Sequence, residues 1–274
     1  MLNQYATIEE RLPRLLRELT RLEPDVFAAQ EVLRDVDNPA KVHPLTERTL
    51  AEAGLTLAAL GPVFGGHNFG NAIFYREQTH TLLEAGPIVY AAEPKLRFPT
   101  PDAVFAVLEP FDESPSVIVI SAHLSWGAQM GGARLANARA INNRANELND
   151  DYPGALIFLA GDFNEGPAGA AVQYLTGNSD APAGDGAFWI DIWPWRRPGE
   201  LGVTQDPAGH YATLTAAGVG IVSTGNIPAR RIDYIMVREW AYERLGAAPA
   251  IELWGTPPDG DVSDHFGLSL RFGS

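Results

Sequence analysis

Acidic, amide and imidazole side chains recur in this sequence at the ends of short apolar segments. In the clearest case, the apolar run Leu156–Ala160 is followed by Gly161 and then by Asp162 and Asn164. Such a short run between turn residues predicts a strand that is buried on both faces. Residues i and i+2 of an extended chain point the same way, so we expect Asp162 and Asn164 to share a face. The same residue types also form ordinary turns, and this stretch alone does not separate a turn from a functional site.

Four further segments repeat the pattern of an apolar body with an acid or a histidine at or beside one end. The residues concerned are Glu31, His123, Asp233, and the pair Asp264 and His265. Each has an ordinary explanation when taken alone, as a solvated acid, a packed histidine or a turn residue. Strand ends of a sheet lie along a common rim, so the recurrence predicts that these side chains converge on one site.

The residue types indicate acid–base chemistry beside a divalent cation. Asp233 lies within an apolar segment, where an acid without a partner is costly. His265 is the candidate partner, because an aspartate raises the basicity of an imidazole and fixes its orientation. Glu31 offers a hard oxygen ligand, and Mg²⁺ favours one or two carboxylates together with water and phosphate. Asp162 could take a proton or hold the cation, while the amide of Asn164 donates to a substrate.

The elements that must position these residues alternate between strands and helices. Val26–Ala29 predicts a short buried strand that delivers Glu31 at its end. Pro13 predicts that the first helix, capped by Thr7, starts late or bends. Further helices are predicted at 45–57 and 134–148, and further strands at 71–75, 103–108, 117–123, 231–237 and 262–272. Periodicity is poor from residue 166 to residue 229, where three tryptophans favour an ordered segment that faces substrate, with a satellite core as the alternative.

Composition limits the class of protein. The 274 residues show no repeat or linker, which predicts a single domain over residues 1–274. The absence of cysteine excludes disulfides, thiol nucleophiles and cysteine-based zinc sites. No segment reaches the ~18 apolar residues of a membrane span, and the N-terminus lacks a signal-peptide pattern, so we expect a cytoplasmic protein. The net charge of −14 argues against stable binding of long DNA, although Arg196-Arg197 or Arg230-Arg231 could form a local basic patch.

A set of short motifs resembles the endonuclease/exonuclease/phosphatase superfamily, which has a DNase I-like fold. The motifs occur in the family's order over nearly the whole chain and are specific when taken together. They are Pro24–Glu31, Gly70–Ile73, His123-Leu124, Gly161–Asn164, Arg231–Tyr234 and Ser263–His265. The resemblance implies an α/β fold, a four-layer α/β/β/α sandwich with two mixed sheets packed face to face. It also implies hydrolysis of a phosphate ester, by a phosphodiesterase, nuclease or phosphatase, with Mg²⁺ or Mn²⁺.

The resemblance further implies roles for individual residues. Asp162 corresponds to the residue that activates the attacking water, and Asn164 to the amide that holds the phosphate. Asp233 and His265 correspond to the His–Asp pair at the phosphoryl group. His123 corresponds to a second phosphate-contacting histidine, found in the branch that contains sphingomyelinases and deadenylases. The implied substrate is a small molecule, a lipid headgroup or a short nucleic acid.

The resemblance implies a metal site formed by Glu31 and Asp264 together with Asn3. In the family the asparagine ends a first strand, whereas here only two residues precede Asn3. A second departure concerns the segment 67–70, which reads His-Asn-Phe-Gly where pancreatic-type deoxyribonucleases place a carboxylate. This difference weakens the deoxyribonuclease assignment specifically.

Two alternatives stay open at this stage. A zinc hydrolase would use some of the six histidines, but the sequence contains no His-x-x-x-His or His-x-His spacing. The second alternative is a binding module of the same fold that is catalytically weak or inactive. The retention of every catalytic residue type, except a clear first strand, argues against a binding module. The sequence therefore favours an enzyme in which dispersed acids and imidazoles meet around a divalent ion.

Overall fold

The computed structural model describes residues 8–62, 68–90, 102–179, 188–206, 228–242, 244–245, 249–255 and 262–273. Its helices are α1 (Ile8–Leu22), α2 (Pro44–Glu52), α3 (Gly131–Asp151), α4 (Ala170–Leu175), α5 (Ile192–Arg196) and α6 (Glu239–Tyr242). Its strands are β1 (Val26–Leu33), β2 (Thr56–Leu60), β3 (Phe69–Tyr75), β4 (His80–Ile88), β5 (Ala103–Pro110), β6 (Val117–His123), β7 (Leu156–Asp162), β8 (Trp189–Asp191), β9 (Asp233–Arg238), β10 (Ala250–Trp254) and β11 (Gly267–Arg271).

The strands form three sheets in the described part of the chain. A six-stranded sheet has the order β4-β5-β6-β7-β9-β8, and it is mixed because β6 and β7 are parallel while their neighbours are antiparallel. A three-stranded antiparallel sheet has the order β1-β3-β2, and β10 and β11 form an antiparallel pair. The predicted fold class, a layered α/β sandwich, is confirmed. The smaller sheet layer consists of the β1-β3-β2 sheet and the β10–β11 pair.

Three apolar clusters hold the layers together, and the period-2 alternation of the strands divides side chains between them. Phe105 on β5 faces the cluster shared with α3 and α4, whereas its neighbour Val104 faces the cluster between the sheets. On β3, Ile73 faces the cluster between the sheets and Phe74 faces the cluster under α1 and α2. Each central strand therefore needs apolar residues on both faces, which explains the unbroken apolar runs in the sequence.

Several predicted boundaries were wrong, each for a local reason. The first helix does not start late, since α1 runs from Ile8 to Leu22 with Pro13 inside it, while the alternative of a bend at Pro13 stays a prediction and Thr7 lies outside the described residues. The second predicted helix ends five residues early, at Glu52, because Gly54 takes a positive φ of 77° and the chain turns into β2. The strand β4 was missed because it contains Pro87. That residue is accommodated because β4 is an edge strand, where a missing N–H is tolerated.

The tryptophan-rich segment belongs largely to the core. Trp189 is 1% exposed and Trp193 is 4% exposed. The indole Nε1 of Trp189 donates a hydrogen bond of 3.1 Å to Oδ1 of Asn142 on α3. The expectation that these tryptophans face substrate is therefore wrong, and the alternative of a core position is correct for both. Among the described helices, none is long and apolar enough to cross a membrane.

Candidate active site

The register of three adjacent strands places His123, Asp162 and Asp233 side by side. His123 is the partner of Asp162 across the parallel pair β6–β7, and Asp162 is the partner of Asp233 across the antiparallel pair β7–β9. Partners in register point to the same face, with strands about 4.8 Å apart. Nε2 of His123 lies 3.6 Å from Oδ2 of Asp162. Three of the predicted site residues thus form one row at the rim of the larger sheet.

His265 reaches this row from a neighbouring turn. Its Nδ1 lies 3.0 Å and 3.1 Å from the two carboxylate oxygens of Asp233. The turn is held in place because the backbone N–H of Phe266 donates to the carbonyl of Thr204. The sequence predicted Asp264 and His265 at the start of a strand, but β11 begins only at Gly267. The predicted Asp233–His265 pair is formed nonetheless.

Asp162, Asp233 and His265 form a compact cluster, in which one ligand atom from each lies within 4.8 Å of the others. Burial, and then the charge of Asp233, raise the pKa of Asp162 to about 6. Burial by itself lowers the pKa of His265, but Asp233, Asp162 and Asp264 together hold that pKa well above its ordinary value. The cluster therefore combines an aspartate that is more basic than usual with an imidazole that readily takes a proton.

The turn after β7 serves both structure and site. The backbone N–H of Asn164 donates to Oδ1 of Asp162 at 2.7 Å, which is an Asx turn. Asn164 itself has a φ of 54°, and its side-chain Nδ2 donates to the carbonyl of Leu124 at 3.0 Å. The turn explanation offered by the sequence is confirmed here, and the role of the two side chains in a functional site stays a prediction. The amide of Asn164 also ties this turn to the loop that follows His123.

Gly161 is required where it stands. It has a φ of 146°, and a Cβ at this position would lie 1.9 Å from the carbonyl oxygen of Ala122 on β6. Only glycine fits both the backbone conformation and this close approach. The residue before Asp162 therefore lets β7 and β6 close together at the rim, which sets the position of the aspartate.

Glu31 is placed by a β-bulge. Ala29 pairs with Ala72 and Val32 pairs with Gly70, so two residues of β1, Gln30 and Glu31, stand opposite one residue of β3. Glu31 takes a φ of 54°, which is unusual for a residue other than glycine. The sequence predicted that the strand ends at Ala29, but β1 continues to Leu33. Bulges of this kind re-aim a side chain beside active sites.

Glu31 and Asp264 border the same cleft as Asp162, Asp233 and His265. Arg11 of α1 also borders it. Burial lowers the pKa of Arg11, while the charges of Asp264 and Glu31 raise it, so both carboxylates lie close to the guanidinium. The third predicted metal ligand, Asn3, lies outside the described residues.

The donor set of the cleft fits a hard divalent cation. Glu31 and Asp264 offer carboxylate oxygens, which are the ligands that Mg²⁺ and Mn²⁺ prefer. Both acids border the cleft, as do Asp162 and Asp233, so several carboxylates surround one space that a cation could occupy. Asp162, Asp233 and His265 form the one three-ligand group found in the described ranges, and it adjoins the two acids.

Sequence reasoning missed a buried polar network behind His123. Nε of Arg134 lies 2.8 Å from Oε2 of Glu165, and both side chains are buried. Nη1 of Arg134 donates to the carbonyls of Ser125 and Gly127, at 3.1 Å and 2.8 Å. This network holds the loop after β6 and therefore the end of the strand that carries His123. A buried Arg at a helix start gives no periodicity signal, because its partners are distant in sequence.

A second missed group contacts His265 from the other side. Nε2 of Gln205 lies 3.0 Å from Nε2 of His265, and Nε of Arg230 donates to Oε1 of Gln205 at 2.7 Å. The predicted basic pair Arg230-Arg231 is split, since Arg231 is buried and bound to Asp191 at 2.7 Å. Arg231 therefore has a structural role, and only Arg230 belongs to the surroundings of the site.

Known proteins resemble this chain in sequence and in fold. The chain is 23% identical over 239 residues to Protein angel from Drosophila melanogaster, covering 85% of this chain and 60% of the fly protein. The fold matches TDP2 from D. rerio, solved with a single-strand DNA product (TM-score 0.66, 19% identity, 98% and 94% coverage). It also matches ANGEL2, described as a 2′,3′-cyclic phosphatase and solved with adenosine-2′,3′-vanadate (TM-score 0.60, 18% identity, 96% and 85% coverage).

The chain spans 60% of the length of the fly relative, and at these identities the two solved structures support the fold alone. The family assignment rests on a different match. Residues 8–265 match the model of the endonuclease/exonuclease/phosphatase family, whose members hydrolyse phosphate esters. This range includes the strand row, the bulge at Glu31 and the turn at His265. The protein described here is therefore a member of the endonuclease/exonuclease/phosphatase family.

Proposed function

We propose that this protein is a divalent-metal-dependent hydrolase of phosphate esters, in which an activated water attacks phosphorus in line with the leaving oxygen. The observation that carries the proposal is the compact cluster of Asp162, Asp233 and His265 at the rim of the larger sheet. Such a cluster places a base and a proton-bearing donor within reach of one phosphoryl group. Phosphoryl transfer requires mainly positioning and electrostatic stabilisation, which fixed side chains supply.

In this mechanism Asp162 orients the attacking water and takes its proton. With a pKa of about 6, Asp162 is ionised at neutral pH yet more basic than an ordinary aspartate, which suits a general base. Its Oδ1 accepts from the backbone N–H of Asn164, so Oδ2 is the oxygen positioned for the water. The bond to the backbone also fixes the rotation of the carboxylate.

The negative charge that develops on the phosphoryl oxygens needs hydrogen-bond donors around those oxygens. His265, held by Asp233 and carrying a raised pKa, is the main proton-bearing donor. His123, in register with Asp162, and the amide of Asn164 complete the set. Glu31 and Asp264, with Asn3, would hold Mg²⁺ or Mn²⁺, which when bound neutralises the phosphoryl and leaving oxygens.

The class of substrate is also part of the proposal. The solved structures named above contain a single-strand DNA product and adenosine-2′,3′-vanadate, so a nucleotide or a short oligonucleotide ester is the preferred candidate substrate. A lipid headgroup and a soluble inositol phosphate are the other candidates. A screen should therefore contain short oligonucleotides, an abasic duplex, a 2′,3′-cyclic nucleotide, sphingomyelin and inositol phosphates.

The test is turnover of bis(p-nitrophenyl) phosphate with Mg²⁺ or Mn²⁺, and its loss on addition of EDTA. Asp162→Asn should lower the rate by about 10²–10⁴-fold, the usual scale for a general base. Asp151→Asn is the matched control, because Asp151 is exposed at the end of α3, away from the rim. Retention of more than a tenth of the rate by Asp162→Asn would exclude the proposed role. Absence of turnover in the whole screen would favour a non-catalytic binding module.

A further inference from the structure

Arg230 and Gln205 form a polar pair beside His265, and the pair has no part in the mechanism above. Nε of Arg230 donates to Oε1 of Gln205 at 2.7 Å, and Nε2 of Gln205 lies 3.0 Å from Nε2 of His265. A guanidinium nitrogen can only donate, so Arg230 must face the amide oxygen of Gln205. The amide therefore presents its N–H hydrogens on the side of His265. One amide N–H of Gln205 then donates to Nε2 of His265, and the second amide N–H and the Nη hydrogens of Arg230 remain for an anion that enters beside the pair.

The pair is held rigidly by the backbone. The N–H groups of Gln205 and Arg230 each donate to the carbonyl of the other residue, both at 2.9 Å. Thr204 is fully buried, and its Oγ1 accepts from the backbone N–H groups of Ile232 and Asp233 at 3.1 Å. The segment that carries Gln205 is thus tied to the beginning of the strand that carries Asp233. Groups that are held in place before binding lose little entropy when a ligand arrives.

The positive charge of Arg230 is not neutralised by a carboxylate among the described residues. Arg134 is paired with Glu165 and Arg231 with Asp191, whereas Arg230 forms no ion pair within those residues. The protein as a whole carries a net charge of −14. A half-buried cation without a carboxylate partner, next to a cluster of acids that repels anions, is a specific feature of this rim. Such a cation favours an anionic group on a ligand.

We propose that Arg230, with Gln205, binds a second anionic group of the substrate, next to the phosphate that is hydrolysed at His265. The inference rests on the proposed function for the position of that first phosphate. The substrate class that follows is a phosphate ester carrying a further phosphate, either on a nucleotide or on an inositol headgroup. Arg230 acts here as a specificity residue that strengthens binding, since its side chain binds Gln205 and forms no hydrogen bond to Asp162, Asp233 or His265 within the described part of the chain.

The test compares substrates that differ only in the second phosphate. One arm uses the dithymidine monophosphate TpT and its 5′-phosphorylated form pTpT. The other arm uses inositol 1-phosphate and inositol 1,4-bisphosphate. The proposal expects kcat/KM to be at least about tenfold higher for the doubly phosphorylated member of one pair, as one charged hydrogen bond provides. The pair that shows the preference identifies the source of the second phosphate.

Three variants decide whether Arg230 is responsible. Arg230→Met should abolish the preference, with the loss appearing in KM for the doubly phosphorylated member, and Arg230→Lys should restore part of the preference. Arg48→Met is the matched control, because Arg48 is exposed on α2 and should not change the preference. Raising the salt concentration should weaken the preference, since the contact is partly exposed.

Two outcomes would overturn the inference. The wild-type protein could turn over both members of each pair with equal kcat/KM, or Arg230→Met could keep the preference while remaining folded by circular dichroism.

A separate measurement needs no turnover: pyrophosphate should raise the melting temperature of the wild-type protein more than that of Arg230→Met. Loss of this difference refutes the anion site. Absence of turnover together with a retained pyrophosphate difference refutes only the proposed hydrolysis.

Discussion

Asp233 and His265 contact each other side chain to side chain, with Nδ1 of the imidazole 3.0 Å and 3.1 Å from the two carboxylate oxygens. The aspartate fixes which ring nitrogen faces the strand, and the other ring nitrogen, Nε2, lies 3.0 Å from the amide nitrogen of Gln205. The two residues come from different elements, β9 and the turn before β11. Their contact is therefore a tertiary product of the fold, and it should behave as one functional unit.

The unit can be tested by a double-mutant cycle. His265→Asn and Asp233→Asn should each lower kcat by about 10²-fold or more, and the double variant should be no worse than the worse single variant. His80→Asn is the control, because His80 begins β4 at the opposite end of the larger sheet. Multiplicative losses in kcat would show that the two side chains act independently.

A second prediction concerns stability and pH in the metal-free protein. The pKa of Asp162 is about 6 in the folded state and 3.8 without perturbation. Between these values the folded protein keeps a proton that the unfolded chain has released, so stability falls as pH rises through about 4 to 6. Asp162→Asn cannot ionise, and its stability relative to wild type should increase by about 3 kcal/mol across this window.

Urea denaturation at several pH values, with chelator present, measures this difference. A constant difference between Asp162→Asn and wild type over this range would mean that Asp162 has an ordinary pKa in the folded protein. If the stability of Asp162→Asn relative to wild type instead decreased as pH rises, the folded protein would stabilise the charged form of the carboxylate.

A third prediction concerns the cation. Mg²⁺ or Mn²⁺ at 100 times its dissociation constant should stabilise the folded protein by about 2.7 kcal/mol, which is several degrees in melting temperature. Glu31→Gln and Asp264→Asn should each remove most of this increase. Glu23→Gln is a close control, because Glu23 also has a positive φ, of 47°, but is exposed at the other end of β1. A melting temperature that rises equally in Glu31→Gln would place the cation elsewhere.

A fourth prediction concerns Gly161. Gly161→Ala should lower the free energy of unfolding by about 3 kcal/mol or more, because its Cβ would lie 1.9 Å from the carbonyl oxygen of Ala122 and its φ is 146°. Gly132→Ala on α3 is the opposite control. A Cβ there meets nothing within 4 Å, so the change should stabilise the helix by about 0.5–1 kcal/mol. Similar effects of the two substitutions would show that β6 and β7 are not closely held at the rim.

The strands that could be predicted are those whose apolar sequence pattern directly reflects their buried position in the sheet. The apolar runs that end at His123 and Asp162 are buried on both faces, so their sequences show the strands directly. The pairing of Asp233 with His265 could be predicted from the cost of a lone buried acid. The proposed roles of these residues, and the extent of the domain, stay predictions.

The parts that could not be predicted depend on contacts between distant residues. The bulge at Glu31 arises from the pairing of β1 with β3, and no local signal in the segment Ala29–Val32 marks it. Arg134 is buried because Glu165 meets it, and Trp189 because Asn142 accepts its N–H. Polar residues of this kind look exposed in a sequence until their partners are known.

The row of His123, Asp162 and Asp233 has a consequence for how this protein can change. The spacing of the three side chains is set by the interval between strands, about 4.8 Å, and by the pairing of their backbones. Surface loops can therefore lengthen or shorten without moving the three groups apart. Deletion of a single residue inside β7 would instead turn Asp162 to the opposite side of the sheet. New specificities should accordingly arise in the connecting segments, while strand lengths stay constant.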